Sequence, residues 1–224
     1  MNKTRIIAEC GLAHNGNTQT ALDMVDRALD AGADFVKFQL FDPYRLSIIR
    51  GDPGCADLPM LPDGEWPCVI GSIPRDKRMM TVMTVEAFWK AINWGIDCIK
   101  LGHGESWQSR GVSELVTRYA PEYFQSMSPD KYRGLEYERN KRWMVVAPEY
   151  PTGRGVELVE KYCPNIGYSD HSAPNDMKAA TLAVKVGAPL VEVHVHLDGC
   201  KKCPDHKVSK SYKQLRQLCK DAHA

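Results

Sequence analysis

The pattern of hydrophobic and polar positions divides this chain into short apolar runs that alternate with segments of helical period. The apolar runs are rich in β-branched residues, which is typical of buried strands. Eight such runs are found, and each predicts one strand. The predicted strands are Arg5–Cys10, Asp34–Leu40, Arg78–Met83, Cys98–Leu101, Tyr123–Ser126, Arg142–Ala147, Ile166–Ser169 and Leu190–His196.

Between these strands, amphipathic periodicity predicts helices. The first is the clearest, because the apolar residues of Thr18–Ala31 share one face and Gly32 follows as a C-terminal cap. Similar patterns predict helices at Val85–Trp94, Val156–Tyr162, Ala173–Val186 and Ser209–Ala222. The repeated succession of strand and helix indicates the α/β class.

The strand pattern favours a (β/α)8 TIM barrel, formed as a single domain by residues 1–224. Strands that are almost continuously apolar suit a parallel sheet covered by helices, and eight such units close into a barrel. A doubly wound open sheet is the alternative. Residues 41–77 and 119–141 resist this division and are expected to be long βα loops or insertions near the active face.

Composition and charge narrow the class of protein. The chain has 224 residues, 43% of them hydrophobic, which suits one large core. A net charge of +1 gives no reason to expect nucleic acid or an anionic membrane as partner. Because no apolar run approaches the roughly 20 residues that span a bilayer, and the start MNKTRIIAECG lacks the features of a signal peptide, we expect a cytoplasmic protein.

Polar side chains stand at or near the end of most predicted strands. In a TIM barrel the loops that follow the strands converge on one face and carry the functional groups. Each polar residue alone is more typical of a solvated rim, but their joint occurrence indicates a site. They are Glu9, Lys37, Gln39, Thr81, Lys100, Glu105, Ser169, His171 and His194.

Two lysines lie within apolar strands, Lys37 in FVKFQ and Lys100 in CIKLG. A buried ammonium group needs an anion, because the transfer of an isolated ion out of water costs several kcal/mol. With the hydroxyl groups of Thr81, Ser126 and Ser169, the two lysines would form a pocket for a small phosphate ester. The alternative is a structural network of salt bridges with Glu9 and Glu105.

His171 and His194 stand at the ends of successive predicted strands, so both imidazoles could reach one divalent metal ion. Two histidines leave coordination positions open for water or a substrate carbonyl, as a Lewis-acid site requires. Either histidine alone would be read as a satisfied core residue. His196 has the same parity as His194, whereas three further histidines, His14, His103 and His206, are not expected to be ligands.

Several segments resemble the sialic acid synthases, which join phosphoenolpyruvate to N-acetylmannosamine, and their relatives that make legionaminic and pseudaminic acids. The resemblance runs from Ile6 to about Leu215 and is carried by IIAECGLAHNG, AGADFVKFQ, GYSDHS, VEVHVHLD and PDHKVS. The last three, in that order and spacing, are the most specific to this family. The resemblance implies a (β/α)8 enzyme that forms a C–C bond and releases phosphate.

The resemblance also implies roles for individual residues. It implies a metal ion, commonly Mn2+ with Mg2+ or Co2+ as alternatives, held by His171 and His194. Its partners would be phosphoenolpyruvate and an N-acetylated amino sugar. The phosphoenolpyruvate pocket would contain Lys37, Thr81, Lys100, Ser126 and Ser169, and the sugar and reacting carbons would be surrounded by Glu9, Gln39, Glu105, Tyr150 and Asp205.

The sequence departs from the family pattern at three positions of the expected site. His103 and Pro148 replace residues that carry hydrogen-bond donors in the family, and Val193 replaces a lysine. The sequence also stops after the last predicted helix, where the bacterial synthases continue into an antifreeze-like domain. A homodimer, a separate lid protein, a different acceptor for phosphoenolpyruvate and a catalytically silent barrel are therefore alternatives that the sequence leaves open.

The motif CKKC, Cys200–Cys203, lies directly before Asp205. Two cysteines at this spacing can bind zinc, form a redox pair or do neither. A zinc site shared with Cys55 and Cys68 of the long loop after the second strand is one alternative. Unlinked thiols are the expectation we favour.

Overall fold

Eight parallel strands close into a barrel in chain order, from β1 next to β2 round to β8 next to β1. The computed structural model describes residues 3–103, 110–129, 143–200 and 202–224. The closed barrel confirms the predicted (β/α)8 fold and excludes the doubly wound sheet. The strands are β1 Arg5–Gly11, β2 Phe35–Leu40, β3 Arg78–Val82, β4 Cys98–Leu101, β5 Glu122–Met127, β6 Trp143–Val146, β7 Gly167–Asp170 and β8 Leu190–His194.

Helices cover the outside of the barrel. They are α1 Thr18–Ala31, α2 Pro43–Arg50, α3 Trp66–Gly71, α4 Val85–Asn93, α5 Arg110–Tyr119, α6 Gly155–Tyr162, α7 Lys178–Lys185 and α8 Tyr212–His223, with short 3-10 helices at Pro53–Asp57 and Arg75–Lys77. Within the described residues, no helix combines the length and the apolar character that crossing a membrane requires.

Helix α1 follows its sequence signals from end to end. Asn17 caps its start, where the side-chain oxygen accepts a hydrogen bond from the backbone N–H of Thr20 at 2.8 Å. Gly32 ends it with a φ of 91°, a left-handed conformation that costs glycine little. The apolar face, which includes Met24 and Val25, is buried against the barrel.

The structure corrects several helix predictions. Helix α7 begins at Lys178, and the predicted start at Ala173 is wrong because the backbone of the preceding turn is held by Lys210. Helix α5 was not predicted at all. The segment 41–77 contains α2 and α3 rather than a continuous loop. The second predicted loop, 119–141, contains β5, and most of its remainder lies in residues 130–142, outside the described part of the chain.

The interior of the barrel is layered. An apolar layer at the N-terminal end of the strands is formed by Ile7, Phe35, Met79, Cys98, Phe124, Met144 and Leu190. Because side chains alternate in direction along a strand, the residue two positions further on points inward again. In this second layer the side chains are mostly polar, namely Glu9, Lys37, Thr81, Lys100, Ser126, Val146 and Glu192. The apolar layer therefore closes the floor under a polar cavity.

Candidate active site

The polar layer and the strand ends above it enclose a cavity of about 260 Å3. It is lined by the eleven predicted site residues that the structure describes, Glu9, Lys37, Gln39, Thr81, Lys100, Ser126, Tyr150, Ser169, His171, His194 and Asp205. The twelfth, Glu105, lies outside the described residues. The cavity is also lined by His103, one of the departures from the family pattern, and by residues that sequence reasoning did not assign, among them Arg50 and Glu192.

The two buried lysines form ion pairs with carboxylates of the chain itself. Lys37 Nζ donates to Thr81 Oγ1 at 2.7 Å, contacts Glu9 Oε2 and lies 3.4 Å from Glu192 Oε2. Lys100 Nζ lies 3.0 and 3.2 Å from the two carboxylate oxygens of Glu192. A network of salt bridges is therefore present, and its carboxylates among the described residues are Glu9 and Glu192; Glu105, which the sequence suggested, lies outside those residues.

Glu192 is the main site residue that sequence reasoning missed. A signal was present, because Glu192 lies two residues after the inward-facing Leu190 and two before His194, on the same side of β8. Ser169 Oγ donates a further hydrogen bond to its carboxylate at 2.8 Å. Burial would raise the pKa of Glu192, but Lys100 and Lys37 outweigh it and hold that pKa below its ordinary value.

Two lysines and two glutamates are paired in this layer, and this pairing determines how the layer can bind an anion. Burial lowers the pKa of Lys37 to about 8, although the Glu192 carboxylate acts in the opposite direction. The hydroxyl group of Ser126 is buried and has no hydrogen-bond partner in the described part of the chain. An incoming anion would therefore find a donor at Ser126 and would compete with Glu192 for the lysines.

His171 and His194 lie side by side at the C-terminal ends of β7 and β8 and form an imidazole wall of the cavity, with ring centroids 5.5 Å apart and planes inclined at 55°. His171 Nδ1 lies 3.0 Å from the carbonyl oxygen of Ala147, so Nδ1 carries the proton and Nε2 keeps its lone pair. Burial, followed by the neighbouring His194, lowers the pKa of His171 to about 3. The imidazole is thus neutral near pH 7, which is the form that binds a metal ion.

The donor set fits an open metal site with few protein ligands. Among the described residues, no group of three or more His, Cys, Asp or Glu side chains is arranged to hold a metal ion. Two imidazoles beside a cavity can still take part in coordination if water and substrate fill the other positions. His196 follows His194 by two residues and could have faced the same way. It does not line this cavity and packs against His206, with ring centroids 4.8 Å apart.

Asp205 joins the imidazole wall to Tyr150. Tyr150 donates a hydrogen bond to Asp205 Oδ1 at 2.6 Å, and Asp205 Oδ2 lies 3.6 Å from His194 Nδ1. These partners outweigh the effect of burial and lower the pKa of Asp205 to about 2, so its carboxylate is ionised near pH 7. Asp205 has a φ of 66°, an unusual conformation for a residue other than glycine and one that is found more often at functional sites.

Gly11 makes room for the carboxylates at the mouth of the cavity. A Cβ atom at this position would lie 2.9 Å from Glu9 Oε1 and 3.0 Å from Asp205 Oδ2. Its φ of 51° also disfavours other residues. Gln39 Nε2 donates to Glu9 Oε1 at 3.4 Å, a long hydrogen bond that completes this corner. Gly11 therefore allows Glu9, Gln39 and Asp205 to approach one another.

A known protein family matches a segment of the chain that lines this cavity. Residues 156–224, the segment that contains Ser169, His171, Glu192, His194 and Asp205, match the NeuB family. This segment is similar to the NeuB family. The resemblance that the motifs indicated is thereby confirmed.

Relatives in two bacteria align with almost the whole chain. It is 26% identical to an N,N'-diacetyllegionaminic acid synthase of Campylobacter jejuni subsp. jejuni serotype O:2, over 98% of this chain and 75% of that protein. It is 24% identical to the spore coat polysaccharide biosynthesis protein SpsE of Bacillus subtilis, over 95% of this chain and 65% of that protein. The chain thus spans about two thirds to three quarters of these relatives.

The fold has close counterparts among solved structures. An N-acetylneuraminic acid (sialic acid) synthetase from Leptospira borgpetersenii serovar Hardjo-bovis superimposes with a TM-score of 0.76 at 22% identity, over 99% of this chain and 83% of that one. At this level of identity the match shows that the TIM barrel is shared.

The structure does not gather the four cysteines of the suggested zinc site into one cluster within the described residues. All eight thiols are free, and Cys55, Cys68, Cys200 and Cys203 belong to no group in the described residues that could hold a metal ion. Cys55 and Cys203 are buried and Cys68 is exposed.

Proposed function

We propose that this chain is a synthase that condenses phosphoenolpyruvate with an amino-sugar aldehyde, such as N-acetylmannosamine or a 2,4-diacetamido analogue, to give a nonulosonic acid and phosphate. The proposal depends on one observation, that Lys37, Lys100, His171 and His194 line a single cavity. The names of the relatives, a legionaminic acid synthase and a sialic acid synthetase, support the same reaction class.

Phosphoenolpyruvate would bind in the polar layer. Its phosphate and carboxylate groups would accept hydrogen bonds from Lys37, Lys100, Thr81, Ser126 and Ser169. Since Glu192 already neutralises much of the lysine charge, the anion would displace part of its contacts rather than enter an unpaired cationic pocket. Binding should therefore be sensitive to the charge at position 192.

The acceptor aldehyde would lie against the imidazole wall. A divalent ion, Mn2+ in our proposal, would be held by His171 and His194 and would polarise the aldehyde carbonyl as a Lewis acid. Gln39 and Tyr150 lie where they can orient the hydroxyl and amide groups of the sugar. The ionised carboxylate of Asp205 would direct a water molecule and accept protons, with the carboxyl group of Glu9, which lines the same cavity, as the second candidate.

The reaction balances with these groups. Carbon 3 of the enol ester attacks the aldehyde carbon, and the former aldehyde oxygen takes up a proton as a hydroxyl group. Water then adds to carbon 2 and gives a proton to a carboxylate, for which Asp205 and Glu9 are the described candidates. Cleavage of the bond between carbon 2 and the bridging oxygen releases phosphate and leaves a 2-keto acid.

A phosphate-release assay tests the proposal. Phosphoenolpyruvate labelled with 18O in the bridging position is incubated with N-acetylmannosamine, its 2,4-diacetamido analogues or phosphorylated aldoses, with and without Mn2+. We expect metal-dependent release of labelled phosphate with an N-acetylated amino sugar. Release with phosphorylated aldoses alone would favour a different phosphoenolpyruvate aldol synthase as the function.

A third outcome would favour a catalytically silent barrel that acts as a binding partner. It predicts no phosphate release with any acceptor and no change in melting temperature when phosphoenolpyruvate is added, because a ligand that binds the folded state raises its stability. Either result in place of Mn2+-dependent release would contradict the proposed reaction.

A further inference from the structure

Lys210 is a fully buried lysine outside the cavity, in the segment that leads from Asp205 into α8. Its backbone N–H donates to the carbonyl oxygen of His194 at 2.7 Å, and Val195 pairs with Lys210 in an isolated parallel bridge. The backbone of Lys210 therefore fixes the end of β8, at the residue that carries the second imidazole.

The side chain of Lys210 extends from there to the loop that follows β7. Its ammonium group donates to the carbonyl oxygens of Ser172 at 2.9 Å, Ala173 at 2.7 Å and Asp176 at 3.0 Å. It also contacts Ser172 Oγ at 2.9 Å and Asp170 Oδ2 at 3.1 Å. One ammonium group thus holds a turn of backbone and a buried carboxylate together.

Asp170 and Ser172 are the two residues that flank His171. The Asp170 carboxylate accepts hydrogen bonds from Tyr168 Oη at 2.9 Å and Ser172 Oγ at 2.8 Å, and it is itself fully buried. The residues on both sides of His171 are therefore tied to the same ammonium group, Asp170 through its carboxylate and Ser172 through its carbonyl oxygen. Among the described residues, Lys210, Asp170 and Ser172 do not line the cavity. Their effect on the cavity would therefore act through the two imidazoles.

We infer that Lys210 is a positioning residue that sets the separation and orientation of His171 and His194, by holding the backbone of His194 and the two residues that flank His171. The inference rests on the proposed function, because it gives that separation a role in binding a divalent ion. Second-layer partners that orient ligating side chains affect metal affinity even though they do not touch the metal. A purely structural lysine would affect stability alone.

The test compares Mn2+ binding by wild type, Lys210→Met and a matched control, Lys77→Met. Lys77 is partly buried and donates to the carbonyl oxygen of Ala33 at 2.8 Å, far from the two histidines at the other end of the barrel. Free Mn2+ is measured by electron paramagnetic resonance, well below the melting temperature of each protein. We expect Lys210→Met to weaken Mn2+ binding roughly tenfold or more, and Lys77→Met to leave it unchanged.

A second variant keeps the test decisive if Lys210→Met does not fold. Lys210→Arg preserves the charge opposite Asp170, but a planar guanidinium cannot direct its donors at three carbonyl oxygens from one atom. We expect an intermediate loss of Mn2+ affinity, about threefold or more. Affinities within twofold of wild type in the folded Lys210 variants, with only a lower melting temperature, would overturn the inference.

The wild-type titration separates this inference from the proposed function. If wild type binds Mn2+ and His171→Ala abolishes the binding, the proposed metal site stands whatever the Lys210 variants show. If wild type binds no Mn2+, both the metal site and the role of Lys210 are wrong.

Discussion

Lys100 of β4 and Glu192 of β8 pair across the interior of the barrel, with Lys100 Nζ 3.0 Å from one carboxylate oxygen and 3.2 Å from the other. The two strands lie on opposite sides of the eight-stranded barrel, and the residues are 92 positions apart in the chain. Both side chains are almost completely buried. The pair lines the polar cavity and also joins two strands across the barrel, so a change in either residue should affect both ligand binding and stability.

Replacing Lys100 by methionine should weaken phosphoenolpyruvate binding roughly a hundredfold or more, because it removes a cation and leaves the Glu192 carboxylate facing the ligand. Isothermal titration calorimetry measures the affinity. Lys185→Met, at an exposed position of α7, removes the same charge and should bind as wild type does. Unchanged affinity in Lys100→Met would place the anion pocket elsewhere.

Replacing Glu192 by glutamine should lower the free energy of unfolding by about 3 kcal/mol, because the buried Lys100 ammonium loses its counter-ion. Urea denaturation measures the change. The double variant Lys100→Met/Glu192→Gln should lose less than the two single variants added together, since the second substitution removes a charge that the first had left unpaired. Strict additivity of the two losses would mean that the pair contributes no coupling energy.

Replacing Tyr150 by phenylalanine should lower kcat about 10- to 100-fold, because Asp205 loses a hydrogen bond to its charged carboxylate. The KM for phosphoenolpyruvate should change little, since Tyr150 is assigned to the sugar side of the cavity. Tyr44→Phe, at an exposed position of α2, provides the matched control. A large rise in that KM with an unchanged kcat would contradict the assignment.

Protonation of His14 should destabilise the protein in mild acid. Burial lowers the pKa of His14 from 6.5 to about 4, so between these values the unfolded chain binds more protons and the free energy of unfolding falls as pH falls. The full effect is about 3 kcal/mol. Urea denaturation from pH 7 to pH 4 should show a shallower decline for His14→Gln than for wild type. Parallel curves would mean that another group causes the loss.

Much of this protein was determined by local sequence. Helix α1 has its N-cap at Asn17 and its C-cap at Gly32, both of them local interactions, and its bounds were predicted correctly. Alternation along each strand was enough to place Lys37, Lys100 and His194 inside the barrel, because the direction of a side chain depends only on its position in the strand. The closed barrel then brings these separate positions to one cavity.

Only the tertiary structure decided which groups meet. The lysines are paired with Glu192 from β8, a contact set by the order of strands around the barrel and by their relative register. The start of α7 is displaced by Lys210, which lies more than thirty residues further along the chain. Its ammonium group donates hydrogen bonds to carbonyl oxygens that would otherwise accept bonds within the helix. Periodicity cannot reveal either contact, because each depends on where a distant segment passes rather than on the residues nearby.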